Sequence, residues 1–142
     1  PPLPSPSPVT DLLPLPLPLP AVRCTMPFAH EDLDVYQLAL DFLVLADEIV
    51  EGLPRGRGHL ADQLARGSTS IVLNIAEGAG KYSKLDKRRY YLSASGSTTE
   101  CAAMLDVLLR LELITPEVHT VSKAIVERIA AMVVGLAKSQ QA

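Results

Sequence analysis

Five cations fall within nine residues: Lys81, Lys84, Lys87, Arg88 and Arg89, broken by one acid, Asp86. Tyr82, Tyr90 and Tyr91 are interleaved with them. Ammonium and guanidinium groups pair with phosphate, and tyrosine rings stack on unpaired bases, so the pattern suits single-stranded nucleic acid. The candidate nucleic-acid-binding residues are Lys81, Tyr82, Lys84, Lys87, Arg88 and Arg89. The same residues also fit a solvated helix start, or a face that meets the acids of a neighbouring subunit. Cations at a helix N-terminus oppose the helix dipole, which needs some reason.

A second group carries polar side chains at helical spacing. Ser70, Asn74 and Glu77 are separated by four and three residues, and so are Ser93, Ser97 and Glu100. Two antiparallel helices would set these stripes face to face, with Ser70 near Glu100 and Glu77 near Ser93. Small residues surround both, in Gly67-Ser68-Thr69-Ser70 and in Ser93-Ala94-Ser95-Gly96-Ser97-Thr98-Thr99. These are poor helix formers in isolation, so close backbone packing is the reason to find them there. The expectation is a structural polar seam whose hydrogen bonds fix register.

Other chemistries find little support. A di-metal centre in a helical bundle needs Glu-x-x-His repeats beside its carboxylates, and none occurs. His30, His59 and His119 fall at predicted helix ends. Cys101 sits in a core-facing place, where a thiol acts as a small hydrophobe. Gly78-x-Gly80 follows a helix rather than opening one after a strand, so it is no phosphate loop. No Ser/His/Asp or Cys/His set can be assembled. The residues point to no catalytic site, no metal and no cofactor.

The elements that must position these groups are all helical. The first helix spans about Asp32 to Gly52, with Val35, Leu38, Phe42, Leu45 and Ile49 as its seam. The second covers about His59 to Glu77 on Leu60, Leu64, Ile71 and Ile75, and stops at Gly78 and Gly80. The third starts after Ser83, where Ser83-x-x-Asp86 reads as a capping box, and runs through Tyr90, Ala94, Ser97, Cys101, Leu105 and Leu108 to about Leu113. The fourth has Thr115 as its cap and Pro116 as its first residue, with Val118, Val121, Ile125, Met132 and Leu136 on its face. No strand pattern competes. The fold class is all-α: an up-down-up-down antiparallel four-helix bundle.

Residues 1–27 are different. Ten of the twelve prolines lie there, alternating with leucine from Leu13 to Pro20. That composition favours polyproline II or disorder, and the segment is expected to be a low-complexity leader or a mis-assigned start, with the bundle domain at 28–142. Two cysteines, Cys24 and Cys101, are too few for a disulfide scaffold and fit a cytoplasmic protein. No apolar run is long enough to span a membrane. The 142-residue chain has net charge -3, which excludes a generic polyanion binder but not a local basic patch.

Apolar surface is in excess. The first helix keeps only a thin polar stripe of Asp34, Gln37, Asp41, Glu48 and Glu51, and Ile129 to Ala137 carries no charge. Helices apolar nearly all round are buried nearly all round, which predicts a homo-oligomer.

Several motifs also carry a resemblance. Asn74-Ile75-Ala76-Glu77-Gly78 with Gly80 and Ser83, Gly96-Ser97-x-x-Glu100, the opening Leu33-x-Val35-Tyr36-Gln37-x-Ala39, Leu53-Pro54 and Gln63-Leu64-x-Arg66 together resemble the bacterial ribosomal RNA intervening-sequence protein family. The match runs from about Phe28 to Leu113. The resemblance implies a compact bundle, often a homopentamer, without established enzymatic activity. It also implies a fold shared with the accessory protein of diversity-generating retroelements, a basic pentamer that binds nucleic acid and a reverse transcriptase. Gly67 and Ser68 stand where the family usually has bulkier residues, and the net acidity differs from the retroelement protein.

The expected function is a non-enzymatic, homo-oligomeric cytoplasmic scaffold, pentameric by the resemblance. It would bind RNA or other nucleic acid, or a nucleic-acid-processing protein, at the turn between the second and third helices. The alternative is a protein–protein interaction module without nucleic-acid binding.

Overall fold

A computed structural model describes residues 2 and 28–141; the expectations for the Pro-rich segment and for Cys24 lie outside them. A short 3-10 turn, Ala29–Asp32, leads into four α-helices: α1 (Asp34–Glu51), α2 (Gly58–Ala79), α3 (Lys84–Arg110) and α4 (Pro116–Ser139). No strand occurs among the described residues. The helices close a ring of neighbours, α1 with α2, α2 with α3, α3 with α4 and α4 with α1, which is compatible with up-down-up-down order. The end of α1 and the turn into α4 share one end of the bundle, where Leu45, Ile49, Leu113, Ile114 and Val118 line a groove. No described helix is long and apolar enough to cross a membrane.

Local chemistry sets the boundaries. The Ser83 hydroxyl accepts from the Asp86 amide at 3.0 Å, and the Thr115 hydroxyl from the Val118 amide at 3.1 Å. Each satisfies one of the orphan donors at a helix start. The end of α3 is a Schellman turn: the Leu113 amide donates to the Leu108 carbonyl at 2.8 Å, and that of Glu112 to Leu109 at 2.9 Å. Glu112 occupies the left-handed position with φ 58°. This turn ends α3 at Arg110, three residues before the expected Leu113.

The core is aliphatic, as the lack of Trp requires. Leu64, Ile71 and Ile75 of α2 meet Phe42, Leu105, Leu108 and Ile129, all fully buried. Burying each such side chain stabilises by about 1.5–3 kcal/mol. Three polar side chains are buried as well, and each bonds back to its own helix: Ser68 to the Ala65 carbonyl, Thr98 to Ala94 and Ser122 to Val118.

The expected faces hold in large part for α1, where Val35, Phe42 and Ile49 are buried, and for α3, where Ala94, Cys101, Leu105 and Leu108 are, but each helix departs in detail and α4 presents another face. In α1 Ala39 and Ala46 are buried as deeply as Phe42, with Leu38 and Leu45 only half-buried. In α3 Tyr91 and Thr98 point inward, not Tyr90 and Ser97. In α4 the buried set is Ser122, Val126, Ile129, Val133 and Ala137, while Val121 is 57% exposed. Small residues sit where helix axes approach closely, and larger apolar ones flank them. In α4, apolar residues on nearly every side leave the sequence pattern without a unique face.

Candidate nucleic-acid interface

The α2–α3 hairpin positions every candidate residue. Two close approaches set its register. A Cβ added at Gly67 would stand 2.8 Å from the Cys101 Sγ, and one at Gly78 would stand 2.8 Å from the Tyr91 ring. Only glycine lets the two helices come this near.

That register decides the polar seam. The hydroxyls of Ser70 and Ser97 are hydrogen-bonded at 2.7 Å. The Asn74 amide donates to the Ser70 hydroxyl at 3.0 Å and to the Ser70 carbonyl at 2.9 Å. The expected partners differ: Glu100 accepts from the Gln63 amide rather than from Ser70, and Glu77 and Ser93 are both exposed and do not bond each other. The glycine contacts fix Ser70 opposite Ser97, and Glu100 then falls a turn beyond. Ser70, Asn74 and Ser97 are half-buried, so the seam lies at the solvent edge.

The basic cluster occupies the turn and the first turns of α3. Lys81 lies in the turn with its ammonium 5.0 Å from the centre of the Tyr90 ring, a cation–π contact. Tyr82 is fully exposed, at 103%. Lys84 is exposed and Arg88 half-buried. Neither makes an ion pair or side-chain hydrogen bond with another described residue. Arg89 is mostly exposed and stands 4.0 Å from the Asp86 carboxylate. Lys87 is turned inward, and its ammonium donates to the Ala79 carbonyl at 2.8 Å, closing the C-terminal end of α2.

Sequence reasoning left three residues out of this group. Asp86, Tyr90 and Ser93 join Lys81 and Arg89 around a recess of about 280 Å³. Their spacing of four and three along α3 was the available signal. Another unforeseen cluster clips α3 to α4: the Asp106 carboxylate accepts from Lys123 at 2.6 Å and from His119 at 2.8 Å. These two hydrogen bonds, that of Lys123 first, hold its carboxyl below the usual range.

Other chemistries have little to work with. Cys101 is fully buried, and desolvation, helped by the Glu100 charge, pushes its thiol up to about 12. Among the described residues no three His, Cys, Asp or Glu side chains gather to hold a metal ion.

Charge is segregated across the bundle. α1 exposes Asp34, Asp41, Asp47, Glu48 and Glu51 and has no Lys, Arg or His. α3, which sits across the bundle from α1, carries Lys84, Lys87, Arg88 and Arg89 in its first two turns.

Comparison with known proteins adds a family. The profile described as 23S rRNA-intervening sequence protein matches residues 31–135. No curated protein matches the chain. Among solved structures, the fold is similar to that of a protein of unknown function from the S23 ribosomal protein family of Bacteroides thetaiotaomicron. That match has a TM-score of 0.69 and 24% identity, and covers 73% of this chain and 98% of that one.

Proposed function

The chain belongs to the 23S rRNA-intervening sequence protein family, and from that membership we propose that it is a non-enzymatic helical scaffold of the cytoplasm that binds single-stranded RNA. The binding face is the α2–α3 turn with Lys81, Tyr82, Lys84, Arg88 and Arg89. One observation carries the reading: the fully exposed Tyr82 lies in the same turn as Lys81 and two residues before Lys84, and Lys81, Lys84 and Arg88 pair with no carboxylate among the described residues. Cations without carboxylate partners and an exposed aromatic ring in one turn match the needs of a strand with phosphates outside and bases free to stack.

The scaffold is homo-oligomeric in this reading. Leu38, Leu40, Leu43, Leu45 and Val50 of α1 remain half-covered in a single chain, as do Ile125, Met132 and Leu136 of α4. A second copy would cover them and repeat the basic turn around the assembly, raising avidity.

Binding of a labelled oligouridylate across a salt series tests the RNA reading. The expected result is a log–log salt slope of several units that shrinks when Lys84, Arg88 and Arg89 are replaced together by alanine. Absence of binding at low salt overturns it and favours the protein–protein module. Sedimentation at micromolar concentration tests assembly, and a folded monomer there would remove the oligomer.

A further inference from the structure

Asp86 is out of place on a surface built only for phosphate. It is the one acid among five cations, and it faces the recess lined by Lys81, Arg89, Tyr90 and Ser93. Its side chain is half exposed, accepts no hydrogen bond from a described side chain, and among the described residues pairs only with Arg89, at the loose distance of 4.0 Å. A carboxylate repels a phosphate, so an acid here weakens a plain phosphate site. It does, however, offer two unengaged acceptor oxygens side by side.

A nucleobase with two adjacent donors would use both. The Watson–Crick edge of guanine presents an N1–H and an N2–H₂ next to each other. Adenine and cytosine each present one amino group beside a ring acceptor, and uracil presents one N–H between two carbonyls. Guanine alone can therefore donate twice to one carboxylate. The other walls suit the rest of a nucleotide. The Arg89 guanidinium is a planar group on which a base can stack, Lys81, held over the Tyr90 ring, is placed for a phosphate, and the Ser93 hydroxyl for a ribose or phosphate oxygen. The recess, about 280 Å³, has room for a base.

We propose that this recess is a guanine-reading subsite: Asp86 accepts from guanine N1–H and N2–H₂, Arg89 stacks on the base and Lys81 holds the adjoining phosphate. The proposal rests on the RNA reading above and adds a base preference to it.

The test uses the full chain and labelled eight-nucleotide RNAs, oligouridylate with and without a single central guanosine. Fluorescence anisotropy is measured at one fixed low salt. One good bidentate contact predicts about tenfold tighter binding of the guanosine-containing strand. Asp86→Asn, which replaces one acceptor by a donor, should abolish that difference and leave oligouridylate binding equal or stronger, with circular dichroism confirming the fold. Asp86→Glu should keep part of the preference. Equal binding of both strands, or a preference that survives Asp86→Asn, overturns the subsite and leaves RNA binding standing. Binding of neither strand overturns the RNA reading and the subsite with it. Guanosine monophosphate distinguishes the source of the base: competition a hundredfold weaker than the strand supports RNA, and equal competition overturns the strand as ligand.

Discussion

Gly67 of α2 and Cys101 of α3 meet so closely that one added methyl group would stand 2.8 Å from the sulfur. Gly67→Ala therefore pits two effects against each other. Better helix propensity favours alanine by about 1 kcal/mol, and overpacking a filled core costs about 1–3 kcal/mol. The expected outcome is a net loss of up to about 2 kcal/mol in urea unfolding. Cys101→Ala in the same molecule should recover part of it, with a coupling above about 0.5 kcal/mol. A Gly67→Ala protein as stable as the parent would show that the helices have room to spare.

Glu112 pays for the sharp end of α3 with a left-handed backbone, φ 58°. Glycine takes that conformation without steric cost. Glu112→Gly should stabilise by about 0.5–1 kcal/mol and raise Tm by a few degrees, with the helix content unchanged. A lower Tm would mean that the glutamate side chain contributes more than its backbone costs.

The Asp106 cluster gives stability a pH dependence of known sign. Hydrogen bonds from Lys123 and His119 lower the folded carboxyl below its unfolded value. Its contribution is complete above the unfolded value, near pH 4, and is lost as pH falls through the folded one. Because Asp106 is more than half exposed, the contribution is small, from a few tenths to about 1 kcal/mol. Asp106→Asn should be less stable than the parent at pH 7, and the gap should close in acid below about pH 4. A gap of constant size down to pH 2.5 or so would assign the loss to something other than charge.

Lys87 and Lys84 should separate folding from binding. The Lys87 ammonium holds the Ala79 carbonyl, so Lys87→Ala should cost about 0.5–1.5 kcal/mol of stability and leave RNA affinity nearly unchanged. Lys84 is exposed, so Lys84→Ala should leave the melting curve in place and reduce the salt slope by about one. Equal effects of both on RNA affinity would contradict the inward orientation of Lys87.

The fold was legible because its signals are local. The caps Ser83 and Thr115, the breaker Gly52 and the periodicity of Leu60, Leu64, Ile71 and Ile75 each act within a few residues, and each occupies its expected place. Helix rotation was harder to read. Ala39, Ala46 and Ala137 are buried while larger neighbours stay half-covered, and a hydrophobic pattern ranks leucine above alanine. The seam shifted for a related reason. Its register depends on how deeply Gly67 and Gly78 let α3 approach, which no spacing within α2 encodes. Of the basic residues, charge alone could not reveal that Lys87 turns toward the backbone, nor that Asp86 and Tyr90 share a recess with Lys81.

With only acids on α1 and five basic residues against three acids on α3, charge is uneven across the width of the bundle. A polyanion's field exerts a torque on such a molecule before contact, swinging α3 forward and α1 away. For the proposed RNA ligand, collisions would then begin already aimed, and a chain of net charge -3 would associate faster than its overall charge alone allows.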